Sequence, residues 1–290
     1  AVGNFIGMFF FPAAVAVTIG KGIINSEIVT AELIIAALVG GLVWDVITWW
    51  LALPVSESHV LVGSLIGAGI AAGGLGEVML QSIVDKVLIP MVTSPLIAFI
   101  IGFGLTVFII RISLHMRLHP SRANRHFGRL QIVSSLFFSV THGTNDAQKV
   151  MGIITVLLVT YGLLPTFDVP LWVILASHAT ISFGTFLGGW RIVRTMAIRI
   201  TKLRPYQGFA AETGGALVLA TTATLGFPVS TTHAIAGSIM GVGATRRLSA
   251  VRWGVARRIV VAWVLTIPMS AIFSYGVYQL FILTGFVAPA

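Results

Sequence analysis

Uninterrupted apolar runs are the feature that most constrains this chain. The clearest occupy residues 31–51, 88–110 and 260–283. Each reaches the roughly 20 residues that a helix needs to cross a hydrocarbon core of about 30 Å. Only 9% of the 290 residues are charged, whereas soluble domains carry about 25%. The runs are continuous and do not alternate as strands would, so they predict an all-α, polytopic transmembrane bundle.

The basic residues are concentrated in short stretches between the apolar runs. Fifteen of the 18 lie in residues 111–129, 191–204 and 246–258, where no acidic residue occurs. By the positive-inside rule, these stretches are predicted to be cytoplasmic loops. The net charge of +9 therefore reflects the predicted cytoplasmic loops, and no nucleic-acid partner is predicted. The chain has no cysteine, which excludes disulfides and thiolate chemistry.

One segment occurs twice. Residues 53–69 recur as residues 227–243, with Pro, Val, Ser, His and Gly in register at an offset of 174 (227 − 53). Acidic loops flank the first copy and basic loops flank the second, so equivalent ends are predicted on opposite sides of the membrane. This is the pattern of an inverted-topology repeat, which places a substrate site where the repeats meet, near the midplane. The repeats are assigned to residues 1–110 and 130–290, joined by a basic cytoplasmic loop at 111–129.

Each copy contains a hydroxyl-rich motif, at residues 54–59 and 228–233. Loops on one face bound each copy on both sides, so the motif is predicted to form a helix break or the tip of a re-entrant hairpin. A helix N-terminus offers free N–H groups and a positive dipole end, both of which favour anions. We therefore expect an oxyanion site at the tips. The alternative is that the hydroxyls only cap their helices.

A second polar motif covers residues 141–149, between apolar segments. Gly143 is predicted to permit unwinding. Asn145 and Asp146 would be costly against lipid and are expected to face a pathway. Asp146 suits a hard cation such as sodium or a coupling proton, and the alternative is a purely structural ion pair with Lys149.

Three further carboxyls, those of Asp45, Glu57 and Glu212, are expected at membrane depth. Glu57 stands where the second copy has Thr231, and it is assigned either to coupling or to a structural hydrogen bond. Glu212 is a candidate for lining the pathway, while His59 and His233 are predicted to be packing residues. The predicted cation-binding or coupling residues are Asn145, Asp146, Glu57 and Glu212, with Asp146 as the metal ligand if the ion is sodium.

Residues 143–155 together with 228–233 resemble the signatures of the inorganic phosphate transporter (PiT) family. The resemblance covers essentially the whole chain. It implies symport of phosphate with sodium or protons, with no enzymatic activity and no cofactor. The phosphate-binding residues that it implies are Ser56, Ser58, Ser230, Thr231, Thr232, Asn145 and Asp146.

The family has a first Asn-Asp motif, which at an offset of 174 from Asn145 would precede residue 1. The first helix is therefore expected to be missing. The remaining alternatives are a sulfate permease on the same scaffold and a non-transporting fragment or interaction subunit. The expected partners are phosphate, free or as a metal–phosphate complex, the lipid bilayer and a second copy in a homodimer. The expected location is a bacterial inner membrane.

Overall fold

The structure is a computed structural model, and it describes residues 1–10, 12–117 and 119–287. Within these ranges the chain is helical and forms no β-strand beyond an isolated bridge between Ile24 and Val78. In chain order the α-helices are α1 (Val2–Ile6), α2 (Ala14–Lys21), α3 (Ala31–Trp50), α4 (Glu57–Gly73), α5 (Leu80–Ile83), α6 (Ile89–His115), α7 (Pro120–Thr160), α8 (Leu171–Leu187), α9 (Trp190–Arg194), α10 (Pro205–Thr224), α11 (Thr231–Ala244) and α12 (Trp253–Leu283). A π-helical turn, Val84–Leu88, joins α5 to α6, and another, Thr195–Arg199, extends α9.

Three helical segments among the described residues are long and apolar enough to cross a membrane. They are α3, the continuous segment Leu80–His115 and α12, which match the three apolar runs of the sequence. Along α6, Val92, Leu96 and Ile100 form an outward stripe at helical spacing, each more than half exposed. An apolar surface of this kind needs lipid to cover it. The fold is therefore that of an integral membrane protein.

The duplicated segment folds the same way twice. Helices α3 and α10 end at equivalent residues, and in each following loop one residue adopts a positive φ: Ala52 at 55° and Gly226 at 72°. These positions differ by the repeat offset (226 − 52 = 174). Helices α4 and α11 then begin at equivalent residues, with Ser56 and Ser230 as their N-caps. The predicted break at each motif is therefore present as a helix–loop–helix hairpin.

The second helix of each hairpin packs against a helix of the other repeat. Helix α4 packs along α12, and α11 packs along α6. Glycines make the close approach possible: an added Cβ at Gly67 would strike the backbone oxygen of Ala271, and one at Gly241 would strike that of Phe99. These pairs differ by nearly the same offset (241 − 67 = 174; 271 − 99 = 172). Such reciprocal packing is what two units related by a twofold axis produce. The inverted orientation across a membrane stays a prediction.

Helix α7 is one continuous helix of 41 residues, so the prediction that the chain unwinds at Gly143 is wrong. The glycine serves a close contact instead, because an added Cβ there would strike the backbone of Asn4 in α1. The break lies in the neighbouring segment, between α1 and α2. Gln148 of α7 stabilises it by accepting from Val15 N at 2.9 Å and donating to Pro12 O at 2.9 Å.

The basic stretch 111–129 is largely helical. Helix α6 ends at His115 and α7 begins at Pro120, so the connection is much shorter than the interval assigned to a loop. Arg111 lies near the end of α6, Arg117 lies in the connection, and Arg122, Arg125 and Arg129 lie in the first turns of α7.

Candidate functional site

The two hairpin tips meet in the interior. The hydroxyl of Ser58, in the first turn of α4, donates to the carbonyl oxygen of Val229 at 2.9 Å. One residue further along the chain, the ring of His59 lies with its centroid 4.7 Å from that of His233, and His233 stacks on Trp263 at 3.6 Å. Both histidines are fully buried, as expected for packing residues. The N-termini of α4 and α11 are thereby held side by side.

Helix α7 faces these tips with a charged cluster. Asp146 forms an ion pair through Oδ1 with Lys149, which is fully buried. Its other oxygen, Oδ2, lies 3.0 Å from Nε2 of His142 and accepts from the hydroxyl of Thr231 at 3.2 Å. Spacings of three and four residues along one helix bring Lys149 and His142 to Asp146. Both carboxylate oxygens of Asp146 are therefore engaged within the protein.

Asn145 lies on the neighbouring face of α7 and is fully buried. Its amide nitrogen donates to the carbonyl oxygens of Thr141 and Leu219, each at 3.0 Å, which ties α7 to α10. Its Oδ1 has no hydrogen-bond partner among the described residues. A buried amide oxygen without a donor is the kind of acceptor that a cation or a hydroxyl of a bound anion would satisfy.

A cavity of about 550 Å³ opens beside this cluster. Its polar wall is formed by Asp45, Glu57, His142, Asp146, Thr231 and Thr232. Because one water occupies about 30 Å³ of liquid, the cavity has room for an oxyanion together with several waters. The Glu57 side chain is exposed to this space.

A second cavity, also of about 550 Å³, shares His142, Thr231 and Thr232 with the first. Glu212 of α10 lines it and accepts from Ser134 Oγ at 2.6 Å and from Gln131 Nε2 at 3.3 Å. Glu212 thus lies where a pathway residue was predicted, although separated from Asp146 by the shared wall. Thr231, Thr232 and His142 therefore stand between two cavities of similar volume.

The predicted phosphate ligands fall into two groups. Thr231, Thr232 and Asp146 line the first cavity. The other four, Ser56, Ser58, Ser230 and Asn145, are almost completely buried and do not line it. Ser56 and Ser230 accept from the backbone N–H groups of His59 and His233. These two capping hydroxyls keep a hydrogen to donate, whereas the Ser58 hydrogen is already given to Val229.

Two residues of the cluster were not predicted as site residues. Asn4 of α1 is fully buried; its Oδ1 lies 3.1 Å from Nδ1 of His142, and its amide donates to Thr185 Oγ1 at 2.7 Å. His142 was visible in the sequence, four residues before Asp146 on the same helix face. The Asn4 contact could not be read from the sequence, because it joins residues separated by 138 positions.

The chain is similar to known proteins along nearly its whole length. The profile of the Phosphate transporter family matches residues 1–274. A probable low-affinity inorganic phosphate transporter of Rhizobium meliloti is 50% identical over 272 residues, covering 93% of this chain and 80% of that protein. The corresponding protein of Bacillus subtilis is 40% identical over 98% of this chain and 84% of its own length.

Among solved structures, one described as the sodium-dependent phosphate transporter superposes with a TM-score of 0.83 at 25% identity. The match covers 97% of this chain and 88% of that one. The shared fold, the identity to several relatives and the match along nearly the whole length all point the same way. The chain belongs to the phosphate transporter family.

Proposed function

We propose that this protein takes up inorganic phosphate by symport, with the anion bound at the first cavity. The observation that carries the proposal is the meeting of the α11 N-terminus with His142 and Asp146 at one cavity wall. The first N–H groups of a helix have no partner within the helix. At Thr231 and Thr232 these groups, the two hydroxyls and the positive end of the helix dipole favour an oxyanion.

The carboxyls in the wall favour phosphate over sulfate. Hydrogen phosphate carries a hydroxyl and can donate a hydrogen bond to Glu57 or Asp146, whereas fully ionised sulfate can only accept. A bare carboxylate facing sulfate would repel it with no compensating hydrogen bond. We accordingly expect phosphate, free or as a metal–phosphate complex, to be the cargo.

Transport would proceed by alternating access around the shared wall. His142, Thr231 and Thr232 border both cavities, so a small shift of the tips would pass the anion from one space to the other. Asn145, with its unpaired buried oxygen, is the proposed ligand for a cation accompanying phosphate, and Glu212 lines the second space. We place the protein in a bacterial plasma membrane, with its basic segments cytoplasmic.

The anion site can be tested by removing hydroxyls while keeping side-chain shape. Thr231→Val and Thr232→Val should each weaken phosphate binding at least about tenfold, because a hydrogen bond to a charged group contributes roughly 1.5–3 kcal/mol. Phosphate affinity would be measured on the purified protein by calorimetry, with sulfate as a competitor. The control is Thr221→Val on α10, an exposed threonine that lines neither cavity. Unchanged phosphate affinity in the double variant, or equal competition by sulfate, would refute this assignment.

A further inference from the structure

A basic cavity lies at one end of the second repeat and shares no lining residue with the two cavities described above. Its volume is about 410 Å³, and it forms where the segment before α10, the segment after α11 and the start of α12 come together. Four cationic side chains and two hydroxyls line it, those of Lys202, Arg246, Arg247, Arg252, Thr201 and Ser249. None of its described lining residues is acidic.

Hydrogen bonds fix the backbone around this cavity. The backbone N–H of Arg252 donates to the carbonyl oxygen of Ile200 at 2.9 Å, and the hydroxyl of Thr201 donates to the carbonyl oxygen of Ala250 at 3.0 Å. Ile200 and Val251 are buried in the core that underlies these contacts. The two connecting segments are therefore tied together, while the four cationic side chains on them are exposed.

The four cations have no fixed counter-ion. Among the described residues, the ion pairs are those that join Asp146 to His142 and to Lys149. Like charges around one cavity repel each other, and an anion bound between them relieves the repulsion. A guanidinium presents its N–H donors in a fork that matches the oxygens of a phosphate group. The volume admits such a group together with several waters.

The first repeat indicates that the fold does not require these cations. At the equivalent positions, 174 residues earlier, it carries uncharged residues: Ile28, Ala72, Gly73 and Val78. Val78 is buried there, and Ile28 and Ala72 pack against the same hydrophobic core. A topology signal needs basic residues in the cytoplasmic loops, but it does not need four of them around one cavity. Their convergence therefore points to a ligand.

The surroundings of the cavity are those of a membrane interface. Helix α12 begins beside it at Trp253 and is long and apolar enough to cross a membrane. The half-exposed indole of Trp253 donates to the carbonyl oxygen of Leu248 at 2.8 Å, and Leu248 is itself largely exposed. Further along α12, Val260 and Val264 are exposed at a spacing of one helical turn. Tryptophan is typical of the headgroup level, so the cations lie beside an apolar surface that suits acyl chains.

We propose that this cavity binds the headgroup of an anionic phospholipid, one that carries a phosphodiester and no cationic group. The four cations bind the phosphodiester oxygens, and the acyl chains lie along the exposed face of α12. Basic pockets at the cytoplasmic ends of membrane helices recognise headgroups of this class. The bound lipid joins the segments that flank α10, α11 and α12 and neutralises cations that otherwise repel each other. The inference goes beyond the proposed function and does not depend on which anion is transported.

Lipid binding can be measured directly on the purified protein in detergent. Native mass spectrometry would give the dissociation constant of the first bound phosphatidylglycerol, with phosphatidylcholine of the same acyl chains as the zwitterionic comparison. The unaltered protein should prefer phosphatidylglycerol. Arg246→Gln/Arg252→Gln removes two of the four charges. Because each basic residue near an anionic headgroup contributes about a fivefold factor, its affinity for phosphatidylglycerol should fall about 25-fold.

Two further variants separate a charge effect at this cavity from other effects. Arg246→Lys/Arg252→Lys keeps both charges and should retain most of the affinity for phosphatidylglycerol. Arg122→Gln/Arg125→Gln removes two exposed cations of α7 outside the cavity, and it should bind like the unaltered protein. An equal loss of affinity in this α7 pair would show that overall charge, and not the cavity, attracts the lipid, and would overturn the inference.

Three more outcomes would contradict a lipid site here. The first is equal affinity of the unaltered protein for phosphatidylglycerol and phosphatidylcholine. The second is undiminished affinity for phosphatidylglycerol in the glutamine pair. The third is displacement of bound phosphatidylglycerol by inorganic phosphate, which would assign the cavity to a soluble anion. Since these measurements involve no transport, their failure would leave the proposed function unaffected.

Discussion

At the scale of single residues, the decisive contact is the ion pair of Asp146 with Lys149. The sequence predicted that Asp146 would face a pathway, and it does line the cavity. The sequence left open whether Asp146 binds a transported cation or forms a structural ion pair with Lys149. In the structure Lys149 is fully buried, so the fixed partner is present. The structure thus favours Asp146 as an anchor for Lys149, His142 and Thr231 over a site for the driving cation.

Removing the charge of Asp146 should therefore destabilise the protein. Asp146→Asn leaves the Lys149 ammonium buried without a counter-ion, which typically costs about 3–5 kcal/mol. The double variant Asp146→Asn/Lys149→Met removes both charges and should regain most of that stability. Thermal unfolding of the purified protein in detergent would measure both. Equal stability of the single and double variants would show that Lys149 does not depend on Asp146.

The limits of sequence reasoning at this scale follow from distance along the chain. His142, Asp146 and Lys149 share one helix face, so their pairing can be predicted from spacing alone. The contact of Asn4 with His142 joins residues 138 positions apart, and no local pattern encodes it. Asp45 and Glu57 lie close in sequence, but a turn of unknown geometry separates them. That turn contains the positive φ of Ala52, which no spacing along the chain predicts.

At the scale of helices, hydropathy predicted the spans and the duplication predicted the hairpins. Both signals are repeated over many residues, which makes them robust. The error at Gly143 has a different origin, because a glycine inside a helix signals either flexibility or close packing. The sequence of α7 does not show which helix packs against it, so the contact with the Asn4 backbone could not be foreseen.

The exchanged packing of the hairpins gives a prediction at this scale. Gly67→Ala and Gly241→Ala each place a methyl group against backbone of the partner helix, and overpacking of this kind costs about 1–3 kcal/mol. Because the contacts are reciprocal, the two losses should be similar. Gly104→Ala in α6 is the control: its added Cβ meets no atom within 4 Å, and alanine is the better helix former by about 0.5–1 kcal/mol. Unfolding in denaturant would rank the three, and a stable Gly67→Ala protein would contradict the packing.

At the scale of the whole molecule, charge is expected to distinguish the two ends of the bundle. The three basic stretches are predicted to lie at one face, and the acidic loops near Glu77 and Asp168 at the other. The described structure shows Arg122, Arg199, Asp85 and Asp168 all exposed. Their sides of the membrane can be assigned directly, since the chain has no cysteine of its own.

Single cysteines at these four positions should divide into two classes. Arg122→Cys and Arg199→Cys should react with a membrane-impermeant thiol reagent only after the cells are opened. Asp85→Cys and Asp168→Cys should react in intact cells. The unaltered chain, which cannot react, sets the background. Labelling of the Arg122→Cys protein in intact cells would reverse the proposed topology.

The packing of each hairpin on a helix of the other repeat also affects the order in which the helices can pack during synthesis. The α4 surface at Gly67 packs on Ala271 of α12, which is synthesised 204 residues later (271 − 67). Until α12 emerges, the glycine face of α4 lacks the helix that covers it in the folded protein. We therefore expect the first hairpin to complete its packing only after α12 has been synthesised. If translation stops before residue 253, the α4 surface stays unpacked in the membrane. Quality-control proteases that recognise unpacked helices should then degrade the chain.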